Sequence, residues 1–306
     1  PNTTSQDDPL NSQTGWATHP AFTWGTEELN GIWVGKFETT GSTSQPTILP
    51  NQKHMSQSSG NIGDMYNVAK SIGVEDKNNV YGNSAQTSYN NGKGYHNLAI
   101  STSHMLKNSE WGAVAYLSAS RYGAGVNNVQ INANASSGND GNGDSSYGVT
   151  GCGPDGSSQY NTGNGQLAST TNNIYGVYDM AGGAYEYVMG SYTNDSTQSY
   201  PSNDYIVNKV KPPYVDLYVN PPFNGNEDTN NNLCTWTTCG GHALFETAGW
   251  GDDYSYFVYS SNPWFLRGGY ANADSAGTGV FYSGVSNGRT FGSNSFRVGL
   301  AALSAM

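Results

Sequence analysis

The chain has few charged residues, and basic residues are especially scarce. Only 11% of its 306 residues are charged, and 12 Lys and Arg stand against 23 Asp and Glu, which gives a net charge of −11. Because phosphate contacts need clustered Lys and Arg, this balance argues against nucleic acid and anionic membrane surfaces as partners. No apolar run approaches the length of about 18 residues that a spanning helix needs, so we expect no membrane insertion by this segment.

Two further classes of protein are excluded by composition. The runs of Ala, Glu, Lys and Leu that build coiled coils are missing. Disordered chains are poor in aromatic residues, whereas 12% of the residues in this chain are aromatic. The chain also has 40 Gly. The chain opens on Pro1 and a polar run, which leads us to expect a processed form whose targeting or anchor segment preceded Pro1.

Cysteine is scarce too, with three residues in the chain. Cys234 and Cys239 are five positions apart, which suits a small local disulfide better than a metal knuckle. The alternative is three free thiols, and Cys152 has no evident partner in either case. A disulfide implies an oxidising compartment, so the sequence predicts an extracellular or cell-surface protein.

The pattern along the chain predicts an N-terminal arm over residues 1–30 and one domain over 31–306. Alternation predicts a strand over 32–39. Helical spacing of apolar residues predicts helices over 65–72 and 109–121, the second of them central. Stretches at about 123–173 and 191–262, rich in Gly, Asn and Pro, are interpreted as loop insertions.

Four segments, in this order, resemble the formylglycine-generating enzyme (sulfatase-modifying factor) family. They are residues 36–40 (KFETT), 105–115 (MLKNSEWGAVA), 173–187 (NIYGVYDMAGGAYEY), and the pair 266–270 (LRGGY) with 295–298 (SFRV). The resemblance implies an α+β, C-type-lectin-like fold with a mixed, mostly antiparallel sheet, two helices and long ordered loops.

Several residues of these motifs are expected to be structural. Asp179 can bond backbone amides two or three residues on and so shape a turn. Arg267 and Arg297 are interpreted as planar forks that tie loops to carboxylates such as Glu186 or Glu110, with a catalytic role as the alternative.

The family's chemistry is not expected here. Its enzymes use paired cysteines or a histidine triad, whereas the block from Trp264 onwards has no Cys or His. His242 and Glu246 are four residues apart and are interpreted as a packed, hydrogen-bonded His, with an acid/base pair as the alternative. We therefore expect a protein that is not an enzyme.

We also expect the protein to have no cofactor. The resemblance offers one weak metal site, for Ca²⁺, with Asn173 and Asp179 as candidate ligands. Gly183 replaces the Asn of the family motif, so one ligand of that site is missing.

The C-terminal block resembles the variable proteins of diversity-generating retroelements and pilin-like surface proteins of gut Firmicutes. The resemblance implies a binding surface for a protein or glycan at about residues 270–294, on a bacterial cell or a phage virion. Its candidate residues combine rigid aromatic rings with adaptable polar groups: Tyr270, Asn272, Asp274, Tyr282, Ser286, Asn287, Arg289, Phe291, Ser293 and Asn294. The alternatives are an ordinary glycan-binding domain, a pilus or filament subunit, and an enzyme with an unrecognised site.

Overall fold

A computed structural model of the chain describes residues 18–55, 60–72, 102–126, 129–137, 146–193, 210–219, 239–271 and 277–302. These residues form an α+β structure with two α-helices and short, mostly antiparallel strands. The helices are α1 (Ile62–Ser71) and α2 (Asn108–Ala119). The strands are β1 (Thr23–Trp24), β2 (Glu27–Glu28), β3 (Ile32–Val34), β4 (Thr40–Ser42), β5 (Gln45–Thr47), β6 (Ser103–Met105), β7 (Ser136–Ser137), β8 (Ser146–Tyr147), β9 (Tyr185–Thr193), β10 (Asp216–Val219), β11 (Trp264–Arg267), β12 (Ser283–Ser286), β13 (Asn294–Phe296) and β14 (Val298–Ala301).

The largest sheet is built around β9. Strand β11 pairs with β9 antiparallel, and β12 pairs antiparallel with β11. On the other edge of β9, β13 runs parallel to its first residues and β10 runs parallel to its last. A second sheet has the order β3-β14-β6, and three two-stranded sheets complete the described strands. The C-terminal block thereby supplies strands to both larger sheets.

Helix α1 begins at a capping box. The Asn61 side chain accepts hydrogen bonds from the amides of Gly63 and Asp64, and the Asp64 carboxylate accepts one from the Asn61 amide. Such reciprocal bonds satisfy amides that lack partners in the helix. The predicted helix over 65–72 is therefore confirmed, although it begins three residues earlier.

Helix α2 packs one face into the core, as predicted. Trp111 is fully buried, and its indole Nε1 donates to the Val280 carbonyl at 2.8 Å. Gly112 is required by close packing, because a Cβ there would lie 2.2 Å from the Gly241 carbonyl oxygen. The opposite face is less covered than predicted, since Leu117 is 56% exposed.

The core occupies both faces of the β9–β11 sheet. Val188 and Phe265 belong to one buried apolar cluster. Their neighbours on the same strands, Met189 and Trp264, belong to another. Alternate strand residues point to opposite faces, so this sheet is covered on both sides.

Two predictions about irregular segments need adjustment. The strand predicted over 32–39 ends at Val34, and the residues beyond bond instead to the C-terminal block, through Gly35 to Val298 and Thr39 to Phe296. Within the described part of 123–173, β7 pairs with β8 and a 3₁₀-helix spans Gly165–Ala168.

Among all described residues, no helix is long and apolar enough to cross a membrane.

Candidate ligand-binding site and buried ionic cluster

The apolar residues of the C-terminal block anchor it in the core, as predicted. Leu266, Val280, Phe281, Phe296 and Val298 are each at most 8% exposed. Strands β11 to β14 carry most of these anchors, and β11 and β13 pair with opposite edges of β9.

The prediction that all ten candidate residues face solvent is wrong. Tyr282, Ser286, Ser293 and Asn294 are buried. Ser286 lies on β12, and its hydroxyl is 2.7 Å from the Tyr187 hydroxyl. Asn294 pairs with β9 in β13. Polar side chains enter a core when hydrogen bonds or strand pairing position them there, which residue type alone does not reveal.

The remaining candidates give a smaller exposed set. Arg289 is exposed, and Tyr270, Asn287 and Phe291 are half-buried, whereas Asn272 and Asp274 lie outside the described residues. The Arg289 guanidinium lies 4.7 Å from the centre of the Phe291 ring, a cation–π contact. This pair forms one part of the candidate surface.

Three tyrosines pack together in the other part. The Tyr185 ring centre lies 4.9 Å from that of Tyr270 and 5.7 Å from that of Tyr282. Tyr185 and Tyr187 share one face of β9, and the Tyr187 hydroxyl donates to the Arg289 carbonyl at 2.9 Å. This bond connects β9 to the backbone of the segment that carries Arg289 and Phe291.

Tyr185, which is half-buried at the start of β9, was not among the predicted site residues. Its signal was the alternation of Tyr185, Glu186 and Tyr187, which places the two tyrosines on the face opposite the carboxylate. We name Tyr185, Tyr270, Arg289 and Phe291 the tyrosine surface; Tyr282 packs against Tyr185 but is itself buried.

A buried ionic cluster is formed by Glu38, His54, Asp179, Glu186 and Arg297. Arg297 is fully buried, and it donates to both Glu186 carboxylate oxygens, from Nε at 3.1 Å and from a terminal nitrogen at 2.5 Å. It also donates to the carbonyls of Gly35 and Tyr178. The predicted fork is confirmed for Arg297. Glu110 instead contacts His104 at 2.8 Å and accepts from the Lys107 amide.

Arg267 is structural in a different way. It is fully buried, donates to the Ala243 carbonyl at 2.7 Å, and lies 5.6 Å from the centre of the Trp111 ring. Burial lowers the pKa of Arg267 to about 10 despite nearby acidic groups. Among the described residues, its hydrogen bonds go to the Ala243 carbonyl and to the Asn108 side chain, so the prediction of a carboxylate fork is wrong for Arg267.

Asp179 has a left-handed backbone conformation, with φ of 62°. One carboxylate oxygen, Oδ1, accepts from the Gly151 amide and from the Asn132 side chain, both at 2.8 Å. The predicted bonds to amides two or three residues on are therefore replaced by bonds to distant loops. Burial and the Glu38 charge raise the pKa of Asp179.

Glu38 and His54 complete the cluster. His54 Nε2 lies 3.2 Å from Glu38 Oε1, and both side chains are fully buried. Burial lowers the pKa of His54, but the Glu38 and Asp179 charges outweigh it and raise the pKa overall. For the Glu186 carboxyl group, burial has the opposite sign: it raises the pKa to about 8, although the charge of Arg297 acts to lower it. Glu38 and His54 were not predicted as site residues, although Glu38 lies in the matched segment 36–40.

The weak Ca²⁺ ligands predicted at Asn173 and Asp179 do not fit a common cage. Asn173 is exposed, and its side-chain amide bonds the Tyr175 amide and the Thr171 carbonyl. Asp179 is buried and bonds other loops, so the two side chains share no ligand position.

His242 has the packed environment that we favoured. Its Nδ1 lies 2.6 Å from the Tyr218 hydroxyl, whereas Glu246 accepts from the Ala243 and Leu244 amides. Cys239 is disulfide-bonded and Cys152 is a free, buried thiol, while Cys234 lies outside the described residues.

Comparison with known proteins adds no further assignment. No protein-family model matches the sequence, and no curated protein matches it significantly.

Proposed function

We propose that the chain is a non-catalytic, surface-displayed ligand-binding protein of C-type-lectin-like fold, and that the tyrosine surface contacts the ligand. The main support for this proposal is the packing of the Tyr185 ring against the rings of Tyr270 and Tyr282, since Tyr185 and Tyr270 are only half-buried. Two helices and a mostly antiparallel arrangement support the fold. The disulfide at Cys239 supports an extracellular location.

The chemistry of the surface suits a protein or glycan ligand. Tyrosine rings held by neighbouring rings lose little entropy on binding, and their hydroxyls can bond a partner. Arg289 adds an exposed positive charge beside Phe291. In known interfaces, Tyr and Arg side by side carry much of the binding energy.

The test is a screen followed by matched variants. The labelled chain is applied to glycan arrays and to surface-protein libraries, and each hit is retested with Tyr270→Ala and Phe291→Ala. Tyr175→Ala is the control, because Tyr175 is 89% exposed and outside the tyrosine surface. We expect the two surface variants to lose binding and the control to keep it. The proposal would be refuted if every ligand that binds wild type also binds both surface variants equally well.

A second candidate function is a subunit of a pilus or filament. An apolar groove of about 350 Å³ between β3 and α2 favours it, since Trp33 and Leu117 line the groove and are 68% and 56% exposed. Large exposed apolar patches mark assembly sites in many proteins. Sedimentation and electron microscopy should then show assemblies that Trp33→Ala dissolves, and a monomer at all concentrations would exclude this candidate.

A further inference from the structure

We infer that Glu38, His54 and Asp179 form a binding site that supplies three ligands to a divalent transition-metal ion of the Zn²⁺ class. Each residue offers one ligand atom, and these atoms lie within 4.8 Å of one another. Ligands of tetrahedral Zn²⁺ sit about 2.0–2.2 Å from the metal, which puts them roughly 3.3–3.6 Å apart. The His54–Glu38 separation of 3.2 Å is just below that range, so small side-chain rotations would bring the ligand atoms to these distances.

Polar atoms without hydrogen bonds point independently to a missing ligand. Glu38 Oε2 and Asp179 Oδ2 are buried and have no hydrogen-bond partner. Buried polar atoms nearly always have partners, so two in one place call for an explanation. A metal ion would take lone pairs from all three side chains at once.

The charge of the cluster supports a divalent cation. Glu38, Asp179 and Glu186 carry three negative charges when ionised, and Arg297 carries one positive charge. With His54 neutral, as a metal ligand must be, the five buried residues sum to −2. A divalent ion would neutralise the cluster in this ionised state; without the ion, the cluster can reach neutrality only by binding protons.

The donor set selects the kind of ion. Ca²⁺ prefers six to eight oxygen ligands and Mg²⁺ keeps several waters, whereas an imidazole with two carboxylates suits Zn²⁺. Gly183 lines the cluster: a Cβ there would lie 2.8 Å from Glu38 Oε1 and 3.1 Å from His54 Nε2. The missing side chain leaves room beside both ligands.

The site would join three distant parts of the chain. Glu38 follows β3, His54 follows β5, and Asp179 lies in the turn before β9. A metal bridging them would fix the turn from which Tyr185 extends. The inference does not depend on the proposed function, because its tests measure the metal and not the ligand.

The experiment measures metal binding by the full chain. After chelator treatment and dialysis, we expect wild type to bind one Zn²⁺ per chain in calorimetry, with a melting temperature that rises with added Zn²⁺. Co²⁺ in place of Zn²⁺ should give visible d–d absorption. His54→Gln and Asp179→Asn should bind no metal, and their melting temperatures should ignore it.

The control is His104→Gln, which alters another buried His–carboxylate pair and should keep one Zn²⁺ per chain. If either ligand variant fails to fold, the Co²⁺ spectrum of wild type decides alone. Absence of Co²⁺ absorption and of a Zn²⁺-dependent melting shift in wild type would overturn the inference. Unchanged Zn²⁺ binding by folded His54→Gln would also overturn it.

Discussion

Replacing Arg297 with Met tests the buried ionic cluster by removing its one guanidinium. The variant leaves the Glu186 carboxylate without its two donors and frees the carbonyls of Gly35 and Tyr178. Breaking one side of a buried ion pair costs roughly 3–5 kcal/mol. For a chain of 306 residues, that corresponds to a fall in melting temperature of roughly 5–8 °C.

The assay is thermal unfolding followed by circular dichroism, with urea unfolding as a second measure. Arg289→Met is the matched control, because it makes the same change on an exposed side chain and should shift stability by less than about 0.5 kcal/mol. Adding Glu186→Gln to Arg297→Met should restore part of the loss, since position 186 then carries no charge that has lost its partner. The reasoning is refuted if Arg297→Met melts within about 1 °C of wild type, roughly the effect of under 1 kcal/mol.

Three other predictions follow from buried polar groups and thiols. Burial raises the pKa of Asp253 to about 7, so the contribution of Asp253 to the free energy of unfolding should fall by at most about 4 kcal/mol as pH rises from about 4 to 7. Asp253→Asn should remove this pH dependence in urea unfolding, and an equal pH dependence in the variant and wild type would contradict the prediction. Asp179→Ala should cost roughly 1–3 kcal/mol by leaving the Gly151 amide unpaired, and an unchanged melting temperature would count against that role. Alkylation of the denatured, unreduced chain should modify Cys152 and leave Cys239 intact, whereas mass spectrometry showing both modified would exclude the disulfide.

Features set by local pattern could be predicted from the sequence. Both helices appear where apolar spacing placed them, and the apolar anchors of the C-terminal block are buried. The first turn of α1 was missed because the stretch before Met65 has little apolar periodicity. Its start depends on the capping box of Asn61 and Asp64.

Features set by long-range pairing could not be predicted. Ser286 and Asn294 have residue types typical of surfaces, yet β12 and β13 carry them into the interior beside β11 and β9. Glu38, His54 and Asp179 are brought together only by the fold, and no local spacing links them. Sequence reasoning therefore found the block that forms the candidate surface but not which of its residues face outward.

Hydrogen–deuterium exchange on the chain with its captured ligand tests the central claim most directly. The account predicts protection in peptides that contain Tyr185, Tyr270 and residues 287–291, with no change around Tyr175. Protection confined to the groove at Trp33 and Leu117, with the tyrosine surface unchanged, would contradict it.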